Sequence, residues 1–482
     1  MSGETAVLEV DKPSLIPTIS NGSRSEDLSN GSTSFEGSVI ASPSIESFST
    51  LPDQEDLEFN LDAEAGDLQV RVDNPQKHLD TLETYVSFRI CSRVNMASRI
   101  EYKESEYIVR RRYNDFVWLR QKLVESFPTH LVPPLPGKHT LLAQLDRYSK
   151  SFVMARMAML HRFLTRVVAH PVLSYNTSLY VFLTAKPSEF LLHRKSGPGI
   201  LGRMTDSLQN LTTTYMVRQH SPEFDSVRDY AITLGEKLGQ FEKVGRRLFK
   251  ERQAYEAELN QFQQIFTLWA TSEPELSPLL KAIASAVERN TEAQQKALLD
   301  TFSPNFEQPL KEYLLYVDAV KEALQRRDAV QIEYELAVDE LNKKRNEKEQ
   351  LVNSEGGGPS SAFNLWKNPA EARDEKIEKL SQLIPNLVRQ AEANQDKMQC
   401  ANENLRSDLE RWHAEKKKDI RGLLLTMASQ QIQFYEEVLA SWEQVIPEVK
   451  CVGQPAVPNA TAEGTSSVHV TRQSTKLHIP SL

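Results

Sequence analysis

Apolar and polar side chains alternate three times between residues 67 and 113, and each alternation predicts a β-strand. Leu68-Gln69-Val70-Arg71-Val72 is the first, Thr84-Tyr85-Val86-Ser87-Phe88-Arg89-Ile90 the second, and Glu106 to Tyr113 the third. After Asn114 the period changes. Phe116, Leu119, Leu123 and Phe127 recur at helical spacing, with Asn114 as the expected N-cap. The prolines of Leu131-Val132-Pro133-Pro134-Leu135-Pro136-Gly137-Lys138 predict an extended loop that Gly137 releases. A helix over 142–167 follows, with apolar Phe152, Leu160, Phe163, Leu164 and Val167 and basic Arg147, Lys150, Arg156, Arg162 and Arg166. A shorter helix is expected over 174–183. Strands in a row followed by helices predict an α+β module, a three-stranded antiparallel sheet plus helices, over 67–188.

Beyond it every pattern is helical. Between 197 and 217, Ile200, Leu201, Met204, Leu208, Leu211, Tyr215 and Met216 form one apolar face. The opposite face carries little positive charge, so this segment either packs on a neighbouring domain or enters a bilayer by apolar insertion, and we favour the wedge. From 220 to 448 three long stretches carry narrow apolar seams. The first includes Leu234, Leu238, Leu248, Phe262 and Trp269; the second Phe306, Val317 and Leu341; the third Leu405, Trp412 and Trp442. Breaks fall at Ser272-Glu273-Pro274 and in the Gly-rich loop at 354–368, and Pro304, Pro309 and Pro385 should kink the rods. At 1.5 Å per residue the longest spans about 110 Å. Such rods bury their seams as an elongated all-α three-helix coiled coil paired with a second copy. Residues 1–66 and 449–482 show no period and read as disordered.

Charge divides along the same boundaries. Residues 1–66 hold 13 acidic and 2 basic side chains, whereas residues 69–186 hold 18 basic and 9 acidic ones. The basic module therefore faces an anionic partner, and the acidic tail is a candidate to fold back on it. Three scattered cysteines, Cys91, Cys400 and Cys451, support neither a disulfide framework nor a zinc site. No apolar run reaches the roughly 18 residues of a membrane span, and the acidic N-terminus lacks a signal-peptide pattern. Nucleophile elbow, P-loop and metal-spaced His/Cys clusters are all missing, so neither an enzyme nor a cofactor is expected. Basic residues without interleaved exposed aromatics also argue against nucleic acid.

The chemistry concentrates at Ile108-Val109-Arg110-Arg111-Arg112-Tyr113-Asn114-Asp115-Phe116. Alternation sends Arg110 and Arg112 to one face and Arg111 to the other. Guanidinium forks fit phosphate oxygens, and strand, loop and helix each deliver a cation, in Arg112, Lys138 and Arg156. The Arg-Arg-Tyr-x-x-Phe strand end, the Pro-Pro-Leu-Pro-Gly-Lys loop and the Phe152-x-x-x-Arg156 helix together resemble a phox-homology (PX) domain, above all those that bind phosphatidylinositol 3-phosphate. The resemblance implies that Arg112 holds the 3-phosphate and Tyr113 packs beneath the inositol ring. It implies too that Lys138 meets the 1-phosphate and Arg156 bonds the 4- and 5-hydroxyls. Leu141 and Leu142 either enter the bilayer or cap the core.

The helical half resembles the BAR domain of the sorting nexins, with the subgroup of sorting nexins 4, 7 and 30 most similar. That implies a basic membrane face, for which Arg326, Arg327, Lys343, Lys344, Arg345, Lys367, Lys416, Lys417, Lys418 and Arg421 are candidates, although charged faces of coiled coils are also simply solvated. The expected protein is peripheral on the cytosolic face of early or recycling endosomes. It binds phosphatidylinositol 3-phosphate membranes, reads or makes curvature as a homodimer or with another PX-BAR sorting nexin, and serves cargo sorting, protein transport and autophagy. The alternative is a lipid-targeted coiled-coil scaffold that recruits partners without remodelling membrane.

Overall fold

The computed structural model describes residues 66–79, 84–137, 148–195, 214–353 and 369–451. Lys138, Leu141, Leu142, Arg147 and Lys367 lie outside these residues, as do both end segments and the apolar face of the expected wedge helix, Ile200, Leu201, Met204, Leu208 and Leu211.

Three antiparallel strands, β1 (Leu68–Leu79), β2 (Thr84–Val94) and β3 (Glu106–Arg112), form a sheet in sequence order. Leu68, Val70, Val72, Phe88, Ile90 and Val109 are buried in the core, as their alternation requires. β1 runs seven residues beyond the expected end, across an irregularity between Asp73 and Gln76 where Asn74 takes a φ of 41°. The side chain of Arg111 turns inward and is 1% exposed. It donates to the carbonyls of Phe182 (3.0 Å) and Ala185 (2.6 Å), at the end of helix α3. Those carbonyls have no partner within their own helix, and the guanidinium supplies one.

Helix α1 (Tyr113–Ser126) starts with Arg112 as its N-cap. The expected cap, Asn114, lies inside the helix. The Asp115 carboxylate instead accepts the Arg112 N–H at 2.8 Å. Phe116, Leu119 and Leu123 are fully buried. Helix α2 (Lys150–Ala169) opens on Ser149, whose hydroxyl accepts from the Phe152 N–H. A 3₁₀ turn (Leu173–Tyr175) and helix α3 (Thr177–Thr184) share the range expected for one helix. Helix α4 (Pro187–Lys195) was hidden by its composition; one residue, Phe190, is buried, edge-on to Trp118 and under the Arg111 guanidinium.

The bundle comprises α5 (Pro222–Ser272), α6 (Ser277–Gln294), α7 (Gln308–Asn353), α8 (Pro369–Glu443) and a last short helix α9 (Ile446–Cys451). Between α6 and α7 the chain passes through π turns at Gln295–Leu299 and Ser303–Glu307. The second contains Pro304, so the expected kink takes the form of a widened turn, which accommodates a residue lacking an N–H. Pro385 lies inside α8, which continues through it. The central core joins Phe224, Ala231 and Leu238 of α5 to Val317, Val320 and Leu324 of α7 and Leu405, Leu409 and Trp412 of α8. At one end α7 and α8 pack as a pair through Ala337, Leu341, Leu387 and Ala391. At the other, Ala293 and Leu298 meet Phe434.

Candidate functional site

The end of β3, the proline loop and the first turns of α2 converge on Tyr113. Its hydroxyl donates to the Pro136 carbonyl at 2.6 Å, which ties helix to loop. The Arg156 guanidinium stacks over the Tyr113 ring at 4.2 Å and over Phe152 at 4.8 Å, and donates to the Gly137 carbonyl at 3.2 Å. Burial lowers the Arg156 pKa and raises that of the Tyr113 hydroxyl. Arg112 sits half-buried with its guanidinium 5.4 Å from the Tyr85 ring. The neighbouring arginines are committed elsewhere. Arg110 donates to Ser87 Oγ (3.0 Å) and the Asn74 carbonyl (2.7 Å), and Arg111 caps α3. Of the four residues that the PX resemblance implicates, the fold stacks Arg156 on Tyr113, while Arg112, the residue before Tyr113, lies against the Tyr85 ring. Lys138 follows directly on the last described loop residue, Gly137. A guanidinium laid on an aromatic face, with a second at the adjoining strand end, suits an anionic group carried on a ring.

A second constellation, absent from the sequence expectations, joins this domain to the bundle. Asp408 of α8 is 4% exposed, and both its oxygens are engaged. Oδ2 accepts from His130 Nδ1 (3.0 Å) and the Leu131 N–H (2.8 Å), and Oδ1 from His170 Nε2 (3.1 Å) and Arg411 (3.0 Å). Burial alone would raise the Asp408 pKa, but the hydrogen bonds from His130 and His170 hold it far below the usual carboxylate range. His130, His170 and Asp408 have the spacing of metal ligands. The hydrogen bonds argue otherwise. His170 Nδ1 accepts from the Val172 and Leu173 N–H groups at 3.1 Å each, so Nε2 carries the proton and has no lone pair for a metal.

Beside it, Arg166 of α2 bonds Glu312 (2.5 Å), Glu415 (2.8 Å) and Asp419 (2.5 Å), while Arg162 shares Glu312 at 2.9 Å. Arg120 reaches Glu322 at 3.0 Å. Much of the module's basic excess therefore meets carboxylates of its own chain. A signal for this dock exists in the sequence. Asp408, Glu415 and Asp419 are seven and four residues apart, and Arg162 and Arg166 four apart, so each set forms a stripe on one helix face. Nothing in the sequence says that the two stripes meet.

Three expected membrane-face cations are corrected by their surroundings. Arg326 lies in the dock, donating to the Pro128 carbonyl at 2.6 Å and to that of His130 at 3.4 Å. Arg327 is buried over the Phe224 ring and bonded to Asn402 at 2.7 Å. Lys416 is buried between Tyr230 and Trp412, and desolvation lowers its pKa to about 8. Their aliphatic stems and flat forks fill seam positions that charge alone assigns to the surface. Lys343, Arg345, Lys417, Lys418 and Arg421 are exposed, and Lys344 pairs with Glu347 at 3.1 Å. Among the described residues no helix is long and apolar enough to cross a membrane.

Comparison with known proteins assigns both halves. A PX domain model matches residues 100–186, and a model described as Vps5 C terminal like matches residues 199–448. Sorting nexin-30 of Mus musculus is 36% identical over 435 residues, covering 90% of this chain and 89% of the relative. Sorting nexin-7 of Mus musculus is 32% identical over 391 residues, 81% of this chain and 91% of the relative. Sorting nexin-4 of Emericella nidulans is 30% identical over 415 residues, 80% and 84% of the two chains. Among solved structures, the cryo-EM structure of the SNX-BAR Mvp1 tetramer matches with a TM-score of 0.52 and 16% identity, over 78% of this chain and 99% of the other. That match concerns the fold.

Proposed function

The chain belongs to the PX-BAR sorting nexins, and from that premise we propose that it is a peripheral protein of early or recycling endosomes that binds phosphatidylinositol 3-phosphate and senses or generates curvature as a dimer. It acts by binding, not by catalysis, in cargo sorting, protein transport and autophagy. The observation that carries the lipid reading is the Arg156 guanidinium stacked on Tyr113, the residue after Arg112. In it Arg112 takes the 3-phosphate, Tyr113 the ring face, Arg156 the 4- and 5-hydroxyls and Lys138 the 1-phosphate. Dimerisation draws support from apolar side chains left exposed on α5 (Phe262, Ile265, Leu268, Trp269) and α8 (Ile432, Tyr435, Leu439, Trp442). A second copy is the occupant that completes a seam of identical chemistry, and two weak headgroup sites in one dimer bind far more tightly than one.

A scaffold that recruits partners without bending membrane stands as the second reading. The removal of Arg326, Arg327 and Lys416 from the bundle's surface charge favours it. Liposome co-sedimentation across the phosphoinositides, with Arg112→Ala beside the unaltered chain, tests the lipid site. Binding confined to the 3-phosphate lipid and lost in the variant is expected; binding that follows total negative charge and ignores Arg112 overturns it. Electron microscopy of the same liposomes separates the readings of the bundle, since tubules are expected of a curvature protein and not of a scaffold.

A further inference from the structure

Two cavities run along α2 on the side away from Tyr113. The first, about 630 Å³, lies between β1 and α2 and is lined by Gly66, Leu68, His161, Thr165 and Val168. The second, about 560 Å³, lies between α2 and the bundle, where Arg162, Pro304, Pro309, Lys418 and Leu423 line it. His161 and Thr165 border both, so the two form one continuous groove. Nine residues separate Thr165 from Arg156, two and a half helical turns, which puts the groove and the headgroup residues on opposite faces of α2. Its walls combine apolar surface with cations and with two carboxylates, Asp67 and Asp419, that are already paired with Arg99 and Arg166. Arg162 gives one nitrogen to Glu312 and stays partly open, and Lys418 is exposed with no acidic partner among the described residues.

The described chain enters the first cavity at Gly66. Immediately before it the sequence reads Asp53-Gln54-Glu55-Asp56-Leu57-Glu58-Phe59-Asn60-Leu61-Asp62-Ala63-Glu64-Ala65. Six of these thirteen residues are acidic and none is basic. Leu57, Phe59 and Leu61 alternate with Asp56, Glu58 and Asp62, so an extended chain presents an apolar edge on one side and carboxylates on the other. Thirteen extended residues reach about 40 Å, enough to cross both cavities.

We propose that residues 53–65 lie as an extended strap in this groove, with Leu57, Phe59 and Leu61 against its apolar walls and the carboxylates toward Arg162 and Lys418. The strap joins the outer strand of the sheet to the bundle. It leaves the headgroup site open, in contrast to an acidic tail that competes with lipid for the Arg112 pocket.

Photo-crosslinking in the full chain tests this, with Phe59 replaced by p-benzoylphenylalanine and the adducts mapped by mass spectrometry. Adducts within one molecule to 161–168, 304–309 or 422–426 are expected. Adducts around the Arg112 pocket, adducts only between two copies, or none to the protein overturn the proposal. Gly422 faces open space, so Gly422→Trp can fill the second cavity without disturbing the helix. It should abolish the adducts to 422–426 while helical content and melting stay unchanged. Lys418→Glu should lower their yield about fivefold, the scale of one exposed ion pair. Persistence of these adducts in both variants overturns the placement. Binding to 3-phosphate liposomes should be the same in the Phe59 variant and the unaltered chain, and a rise means that the segment covers the lipid pocket.

Discussion

Arg156 and Arg166 stand ten residues apart on one helix and do opposite work. Arg156 lies across the Tyr113 ring and donates to the Gly137 carbonyl, and burial lowers its pKa. Arg166 is enclosed by three carboxylates from two bundle helices. The difference teaches that a basic excess does not identify its partner. A guanidinium stacked over a ring beside a loop carbonyl has the geometry to meet an incoming anion. One surrounded by carboxylates has already met its counter-charge, and its role is to fix one domain on another.

The sharpest way to break the comparison is Arg166→Ala. It leaves Glu312, 4% exposed in its side chain, facing only Arg162. Breaking a buried pair in this manner costs about 3–5 kcal/mol. The expected result is faster limited proteolysis between the first domain and α5 and a lower melting temperature, with headgroup affinity retained. Arg166→Lys should not rescue it, since one ammonium cannot serve three carboxylates in the geometry of a fork. Loss of headgroup binding with an intact dock would reverse the roles assigned to the two ends of α2.

Arg156→Ala is the reciprocal experiment. A charge-assisted hydrogen bond contributes about 1.5–3 kcal/mol, so soluble headgroup should bind about tenfold or more weakly. Titration calorimetry measures it, and the proteolysis pattern should not move. Arg326→Ala comes next in size. It removes donors from the carbonyls of Pro128 and His130, and a cost of about 1–2 kcal/mol in dock stability is expected. Liposome binding should be unchanged, which separates a dock residue from the membrane-face role that its charge suggested.

The sheet and most of the pocket were legible in the sequence because they are written in local patterns. Alternation in Val70-Arg71-Val72 and Phe88-Arg89-Ile90 sets the buried face, and the position of Arg111 between Arg110 and Arg112 follows from the same period of two. The dock was not legible because its parts are remote in the chain. His130, His170 and Asp408 are separated by up to 278 residues, and each alone reads as an ordinary surface residue. Arg327 and Lys416 misled for a related reason. Charge predicts exposure only on average, and long aliphatic stems let a cation sit over Phe224 or between Tyr230 and Trp412 inside a helical seam.

The smallest expected effect concerns pH, and it acts on the dock and not on the pocket. Burial lowers the pKa of His170, which in the fold is neutral with its proton on Nε2, held by the two amides that bond Nδ1. A histidine kept neutral contributes its full stability above its ordinary value of about 6.5 and loses it as pH falls toward the lowered folded value. Protonation must place a hydrogen on Nδ1, against the N–H groups of Val172 and Leu173. Asp408 adds a second and lower window, because its depressed pKa contributes stability above about 3.9 that is lost only in stronger acid. Cleavage between the domains should therefore rise modestly between pH 7.5 and 5.5 in the unaltered chain. His170→Gln supplies an N–H to Asp408 without a titrating ring and should flatten that rise. A rise that survives the substitution assigns the titration to another group and removes His170 from the latch. Headgroup binding at Arg112 and Arg156 gives the internal control within the same molecule.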